Sequence, residues 1–317
     1  MKKFMKVCAI IAAIILGIGI VLLAVGGCGG GFRQLARQIR NGELSFGPED
    51  WNIEWDEKWV WNEDWQTYDL DGQDMFDNSF DIIKDRDAWS QDFSTEGVQN
   101  LELALGGCKV TVEPSTDEEF HILANKITAF QAYVKNGTLY VRGLKTGNWT
   151  SNFTMEVTIQ IPDGTEFSDV TLSLGAGDFS IVTITAQNMD IEVGAGRLQI
   201  DEMKADTLSC QLGAGQVIIN NAEVTGNTSL EVGVGELCFT GSLPGNLDAE
   251  CAMGNMEITV AGSREQDHNL DLECAAGNLT AGSHTFAGLA SEQYIDNGAA
   301  STYKLSCSMG NLSLTFR

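Results

Sequence analysis

The sequence predicts an all-β fold: a single-stack β-solenoid of ~19-residue repeats, preceded by an N-terminal transmembrane helix and an acidic linker. Three observations carry this. A Gly-x-Gly phrase returns at nearly constant spacing, apolar residues alternate on both sides of it, and one long uncharged run stands near the start.

The second Gly of the phrase falls at Gly177, Gly196, Gly215, Gly235, Gly254, Gly277 and Gly310, at intervals of 19, 19, 20, 19, 23 and 33 residues. A weaker copy reads Leu105-Gly-Gly-Cys108. Around each Gly the positions five and three before it, and two and four after it, are apolar. Leu172, Leu174, Phe179 and Ile181 show the pattern in the first full unit. Period-two alternation marks strands with one buried face. The alternation slips across the phrase, and the residue just before the Gly (Ala176, Ala195, Ala214, Val234, Met253, Ala276, Met309) extends the inward set. A one-residue slip reverses every later side chain unless the chain bends. Glycine supplies the bend by accepting positive φ and close backbone approach.

Each unit therefore reads as strand, glycine corner, strand, and a return turn such as Gln187-Asn188 or Asn220-Asn221. So short a unit cannot bury its own apolar face, and units must stack. Seven turns at ~4.8 Å give a rod on the order of 34 Å long. The strand pattern of Leu312 to Phe316 at the last turn predicts an open edge able to pair with another subunit.

Residues Val7 to Gly27 are apolar and follow Lys2, Lys3 and Lys6. At ~1.5 Å per residue the run spans about one hydrocarbon core. Val25-Gly26-Gly27-Cys28 also reads as a lipobox with Cys28 lipidated, so anchor and lipoprotein remain alternatives; both attach the chain to a membrane. The domain reading is a cytoplasmic tail (1–6), an anchor (7–27), an acidic Trp-rich linker of disordered chain or short helices (28–93), a capping β region (94–170) and the repeats (171–317). Most of the chain is expected outside the cytoplasm.

The linker holds seventeen acidic residues against three basic ones between Asn41 and Glu96. Trp51, Trp55 and Trp59 recur every fourth residue, as a helix-face stripe for a ligand or the bilayer interface, or as a docking stripe on the repeats. The net charge of −25 repels phosphate backbones and excludes nucleic acid as a partner. Glu192, Glu231, Glu250 and Glu273 share the outward position four before the Gly, a candidate ligand-facing line and equally a solvated stripe.

Several chemistries lack material. A dinucleotide fingerprint needs a third Gly where Ser180, Gln199 and Ile218 stand. Calcium-binding repeats need a recurring Asp, found only at Asp178. His121, His268 and His284 show no metal-ligand spacing or nucleophile motif. No catalytic residue, cofactor or metal site is expected, and a polysaccharide-cleaving solenoid is a distant third reading. Cys251, Cys274 and Cys307 share one inward rung, with Cys210 one position earlier. Disulfide and free thiol stay open for them.

The Gly-Ala-Gly-Asp-Phe-Ser-Ile type of repeat, the strand Met155 to Gly164 and the hairpin Val134 to Val141 resemble the DUF4097 β-strand-repeat family of adhesin-like toast-rack domains. The resemblance covers roughly Ser94 to Arg317. It implies a bacterial envelope protein, linked to adhesion or envelope-stress sensing, without catalytic residues. The expected function is a membrane-anchored, non-enzymatic scaffold or sensor contacting an envelope component or membrane protein; the alternative is a surface adhesin.

Overall fold

The computed structural model describes residues 75–144, 154–287 and 291–317. The anchor at 7–27, Cys28 and Trp51, Trp55 and Trp59 lie outside the described residues. Among the described residues no helix is long and apolar enough to cross a membrane.

Eighteen strands follow in order: β1 (Ile83–Ser94), β2 (Asn100–Gly106), β3 (Cys108–Ser115), β4 (Glu119–Lys135), β5 (Thr138–Leu144), β6 (Met155–Pro162), β7 (Phe167–Leu174), β8 (Gly177–Val193), β9 (Arg197–Val224), β10 (Thr228–Ser242), β11 (Leu247–Cys251), β12 (Asn255–Val260), β13 (His268–Cys274), β14 (Asn278–Ala281), β15 (His284–Ala287), β16 (Ser291–Ile295), β17 (Ser301–Cys307) and β18 (Asn311–Phe316). The described fold is all-β apart from one 3-10 turn at Glu265–Asp267. Residues 83–93, assigned to the linker by their charge, form most of β1. Its charges fall on the solvent side of an outermost strand that pairs with β4.

The repeats pair in parallel with the registers that their spacing dictates. Phe179 faces Leu198 and Ile191 faces Cys210 one coil away; Leu212 then faces Val232. Phe179, Ile181, Ile184, Ala186, Met189, Ile191 and Val193 are the buried positions of one coil. They form three runs separated by three outward corners, where the sequence suggested two strands and two turns. Asn188 and Asn221, taken as equivalent return turns, belong to different corners; Asn221 turns its own with φ of 44°. The inward rungs of all coils join one apolar cluster running from Phe93 to Leu314.

The glycine corner differs from expectation in one respect. At three corners the residue before the Gly points out: Ala195 and Ala214 are exposed, and Val234 is 37% exposed, whereas Ala176, Met253, Ala276 and Met309 are half-buried. At such a corner four residues separate the inward positions, as between Leu212 and Val217. Only Gly177 and Gly215 of the seven use positive φ, at 155° and 147°. Elsewhere Gly is required by close approach. A Cβ on Gly196 would sit 2.8 Å from the carbonyl oxygen of Gly177, and one on Gly235 2.6 Å from that of Gly215. Backbone hydrogen bonds run unbroken through these corners, as from Ala214 N–H to Gly194 (2.7 Å) and Gln216 N–H to Gly196 (3.0 Å).

The coils do not stack in chain order. The Leu105–Cys108 copy is a full coil, because β2 and β3 lie directly on β7 and β8. On their other side lie β5 and β6, then antiparallel β4, then β1. At the opposite end β17 and β18 insert between β11–β12 and β13–β14, giving the coil order 254, 310, 277 by corner glycine. Antiparallel β16 and β15 close that end. The expected open edge at Leu312–Phe316 is therefore wrong. β18 is paired on both sides, and the outermost strands are β1, β15 and β16. Antiparallel reversal places non-repeat strands at both ends, a known way of managing unpaired edges.

Nuclear Overhauser contacts test this order. The Asn311 backbone should show cross-strand contacts to both Asn255 and Asn278, about 5 Å away on either side, with none between Asn255 and Asn278. A direct Asn255–Asn278 contact would mean that the coils stack in chain order.

Candidate functional site

The outward rows on the face that leads into the glycine corners form the broadest continuous polar surface. Reading across the coils, the row four before the Gly is Ser173, Glu192, Gln211, Glu231, Glu250, Ser306 and Glu273, ending on Glu292 of β16. Of the four glutamates singled out by spacing, only Glu231 and Glu250 are direct neighbours. Gln211 separates Glu192 from Glu231, and Ser306 separates Glu250 from Glu273. The line is real in register but interrupted.

Two residues earlier runs Asp190, Ser209, Ser229, Asp248, Lys304 and Asp271, ending on Tyr294, which is 59% exposed. A third row, at the corner, holds Asn188, Thr207, Asn227, Asn246 and Thr302. Its side chains bond from coil to coil: Thr207 Oγ1 donates to Asn188 Oδ1 (2.9 Å), Asn246 Nδ2 to Asn227 Oδ1 (3.1 Å), and Thr302 N–H to Asn246 Oδ1 (2.9 Å). The second and third rows border a shallow groove of about 600 Å³. The amide row was visible as repeated polar residues at coil spacing, but without the order of coils it had no direction.

Lys304 fits the inserted coil electrostatically. In chain order Asp248 would face Asp271 and Glu250 would face Glu273, and like charges directly opposite on a sheet are destabilising. The inserted coil puts Lys304 between the aspartates and Ser306 between the glutamates. Lys304 Nζ reaches Asp248 Oδ2 at 3.4 Å and Glu250 Oε1 at 3.8 Å. Partial burial works against its charge, but Asp248, Glu250 and Asp271 outweigh that and raise its pKa.

Beyond the face, three clusters escaped the sequence reading. Residues 75–82 are clasped onto β4 and β5 by Gln131, fully buried, whose Oε1 accepts from Asp77 N–H (3.0 Å) while Nε2 donates to the carbonyls of Asp77 (2.8 Å) and Phe80 (3.0 Å). Lys135 pairs with Asp77 at 2.5 Å and holds its carboxyl down to about 2. Phe80 stacks on Tyr133 at 4.1 Å, and Arg142 Nη1 donates to the Met75 carbonyl at 3.0 Å. At the opposite end His268 is buried between Ser263 Oγ (2.6 Å from Nε2) and Ser301 Oγ (2.7 Å from Nδ1) and stacks on Tyr303. Burial lowers its pKa, so it serves as a neutral, fully bonded pin of the last coils. Nearer β1, His121 bridges Asp92 (2.6 Å) and Asp117 (2.8 Å), and its bonds to Asp92 first, then Asp117, raise its pKa. Among the described residues no three His, Cys, Asp or Glu side chains converge as a metal site. Cys251, Cys274 and Cys307 are buried thiols.

The model of the family described as Toastrack DUF4097 matches residues 98–315, more than two thirds of the chain. The chain belongs to this family. Among solved structures, a candidate adhesin from Bacteroides fragilis shares 15% identity (TM-score 0.38), covering 73% of this chain and 99% of that one. A candidate cell adhesion protein from Clostridium sporogenes shares 12% (TM-score 0.36), with 73% and 99% covered. A candidate lipid binding protein from Parabacteroides distasonis shares 13% (TM-score 0.35), with 73% and 97% covered. No curated protein matches the chain. The assignment rests on the family match alone.

Replacing Lys304 by Glu is expected to cost about 1 kcal/mol at low salt, because the side chain is half exposed and its pairs are screened. Most of that loss should vanish near 1 M salt, where the Debye length is ~3 Å. Urea unfolding at both salt levels measures it; an equal loss at high salt would assign the effect to packing.

Proposed function

We propose that this Toastrack DUF4097 chain is a membrane-anchored, extracytoplasmic β-solenoid acting as a non-enzymatic scaffold or sensor in the bacterial cell envelope, of the envelope-stress type. Family membership supports the coarser part, a surface or binding protein without enzymatic activity. The observation that carries the finer part is the acidic face. Aspartates and glutamates stand in two adjacent rows on four coils (Asp190 with Glu192, Glu231, Asp248 with Glu250, Asp271 with Glu273), interrupted by Ser209 and Gln211 and by Lys304 and Ser306, on strands whose spacing the core fixes. A predominantly acidic array on fixed strands offers complementarity to a basic envelope component or the basic loop of a membrane-protein partner.

The clasp supports the same reading. The apolar run at 7–27 is the proposed anchor, and residues 75–82, further along the chain, are fastened to β4 by Gln131 and to β5 by Arg142. Trp51, Trp55 and Trp59 lie on the proposed path between anchor and clasp and are assigned to the bilayer interface or the partner.

Surface adhesion is the second reading, favoured by the exposed Tyr294 at the end of the Asp190–Asp271 row. An aromatic face beside hydrogen-bonding side chains suits an extracellular ligand.

Glu231→Gln, Glu250→Gln and Glu273→Gln combined in the full chain separate the readings. The scaffold reading predicts a several-fold change in an envelope-stress reporter with cell-surface adhesion unchanged. Loss of adhesion with unaltered reporter output would overturn it in favour of the adhesin.

A further inference from the structure

The inserted coil brings three thiols into one row that chain order would have arranged differently. Cys307 of β17 is the register partner of Cys251 on one side and of Cys274 on the other, and all three are 2% exposed or less. Neighbouring parallel strands lie about 4.8 Å apart, inside the Cα separation of roughly 4.4–6.8 Å that a disulfide spans. The central thiol has two neighbours but can bond only one.

Side-chain direction separates Cys251 from the other two, since Cys307 Sγ, like Cys274 Sγ, turns to a carbonyl of its own coil (Gly310, 3.2 Å); it stands 2.7 Å from where a Cβ of Gly277 would and must rotate to meet Cys251. Cys251 Sγ leans out of its own coil toward the inserted one: it lies 3.7 Å from the Asn311 carbonyl oxygen and 2.8 Å from where a Cβ of Gly310 would stand. Cys274 Sγ turns back instead to the carbonyl of Gly277 in its own coil, at 3.3 Å. The corner glycines matter here, because any side chain at Gly310 would occupy the space into which Cys251 leans.

We propose that Cys251 and Cys307 are a disulfide-forming pair that staples the inserted C-terminal coil to the coil carrying Gly254, with Cys274 left as a thiol. The oxidant is an external disulfide, of the kind that an oxidising compartment supplies. The Cys251 thiolate attacks one sulfur of that disulfide, forming a mixed disulfide and releasing one thiolate. The Cys307 thiolate then attacks the Cys251 sulfur, forming the protein disulfide and releasing the second. Two protein thiols lose two electrons and two protons in all, and the external disulfide becomes two thiols.

Burial means that the exchange happens while β17 and β18 are open, during folding or transient release of the last coil. The bond would then close a loop of 56 residues (307 − 251) across the point where the coils leave chain order. A closed loop restricts the unfolded chain and disfavours release of the inserted coil.

The test uses the full chain in detergent, refolded in oxidised and reduced glutathione, then acid-quenched, denatured, alkylated and mapped by peptide mass spectrometry. The expected result is a Cys251–Cys307 linked peptide lighter by two hydrogens than the paired thiols, with Cys274 alkylated. Cys274→Ala should keep that link and Cys307→Ala should abolish it. Proteolytic release of β17–β18 should slow at least several-fold in the oxidised protein. Alkylation of all three cysteines, or a dominant Cys274–Cys307 link, would overturn the proposal. The unsubstituted chain alone distinguishes these outcomes, whether or not each variant folds.

Discussion

Backbone resting on backbone at one corner is the contact on which the whole architecture depends. Where the Gly-x-Gly phrases stack, each corner glycine lies so near a backbone carbonyl of the neighbouring coil (that of Cys108 for Gly177, that of another corner glycine for the rest) that no Cβ fits between them. That closeness lets the hydrogen-bond ladder pass through the corner without a break. It also holds the inward rungs on either side in register, so Leu, Ile, Val and Cys residues from successive coils meet as one apolar interior. A methyl group at the corner would push two coils apart and open the core on both flanks. Glycine costs conformational entropy in an extended chain, and the continuous core offsets that cost.

Register, rather than succession along the chain, is what the corner enforces. The inserted coil keeps that register out of chain order. At the C-terminal end Lys304 fits the order seen. Inserted between Asp248 and Asp271, it turns a repulsive contact into an attractive one, while Ser306 dilutes the glutamate row. The same insertion brings Cys307 between two other thiols and removes β18 from the edge. One lysine and one serine in outward rows thus bear on topology, electrostatics and cysteine chemistry together.

Much of this fold was legible in the sequence because the repeat is strict. The rungs at Leu174, Val193, Leu212, Val232, Cys251, Cys274 and Cys307 were all correctly placed inside, since period-two alternation has one solution when a single face is buried. Ala195, Ala214 and Val234 were misplaced, because a small apolar residue beside glycine carries no sign of which way it points. The third face, with Ile184 and Ala186, was missed for lack of a glycine to mark its corners. The coil order was hidden because a 33-residue interval reads equally as an insertion or as a crossover. For the site, the glutamate positions were legible but their neighbours were not. Lys304 and Gln131 act through residues 56 and 54 positions away in sequence, and no local pattern announces such partners.

The most direct test of the central contact is the unfolding free energy of Gly215→Ala set beside that of Ala214→Ser, measured by urea titration of the full chain. Gly215 combines positive φ with a close carbonyl beneath it, whereas Ala214 faces solvent one residue earlier. The account predicts a loss of about 2 kcal/mol or more for the glycine variant and a change within ~0.5 kcal/mol for the alanine variant. A tolerated methyl at Gly215, or a large loss at Ala214, would contradict it.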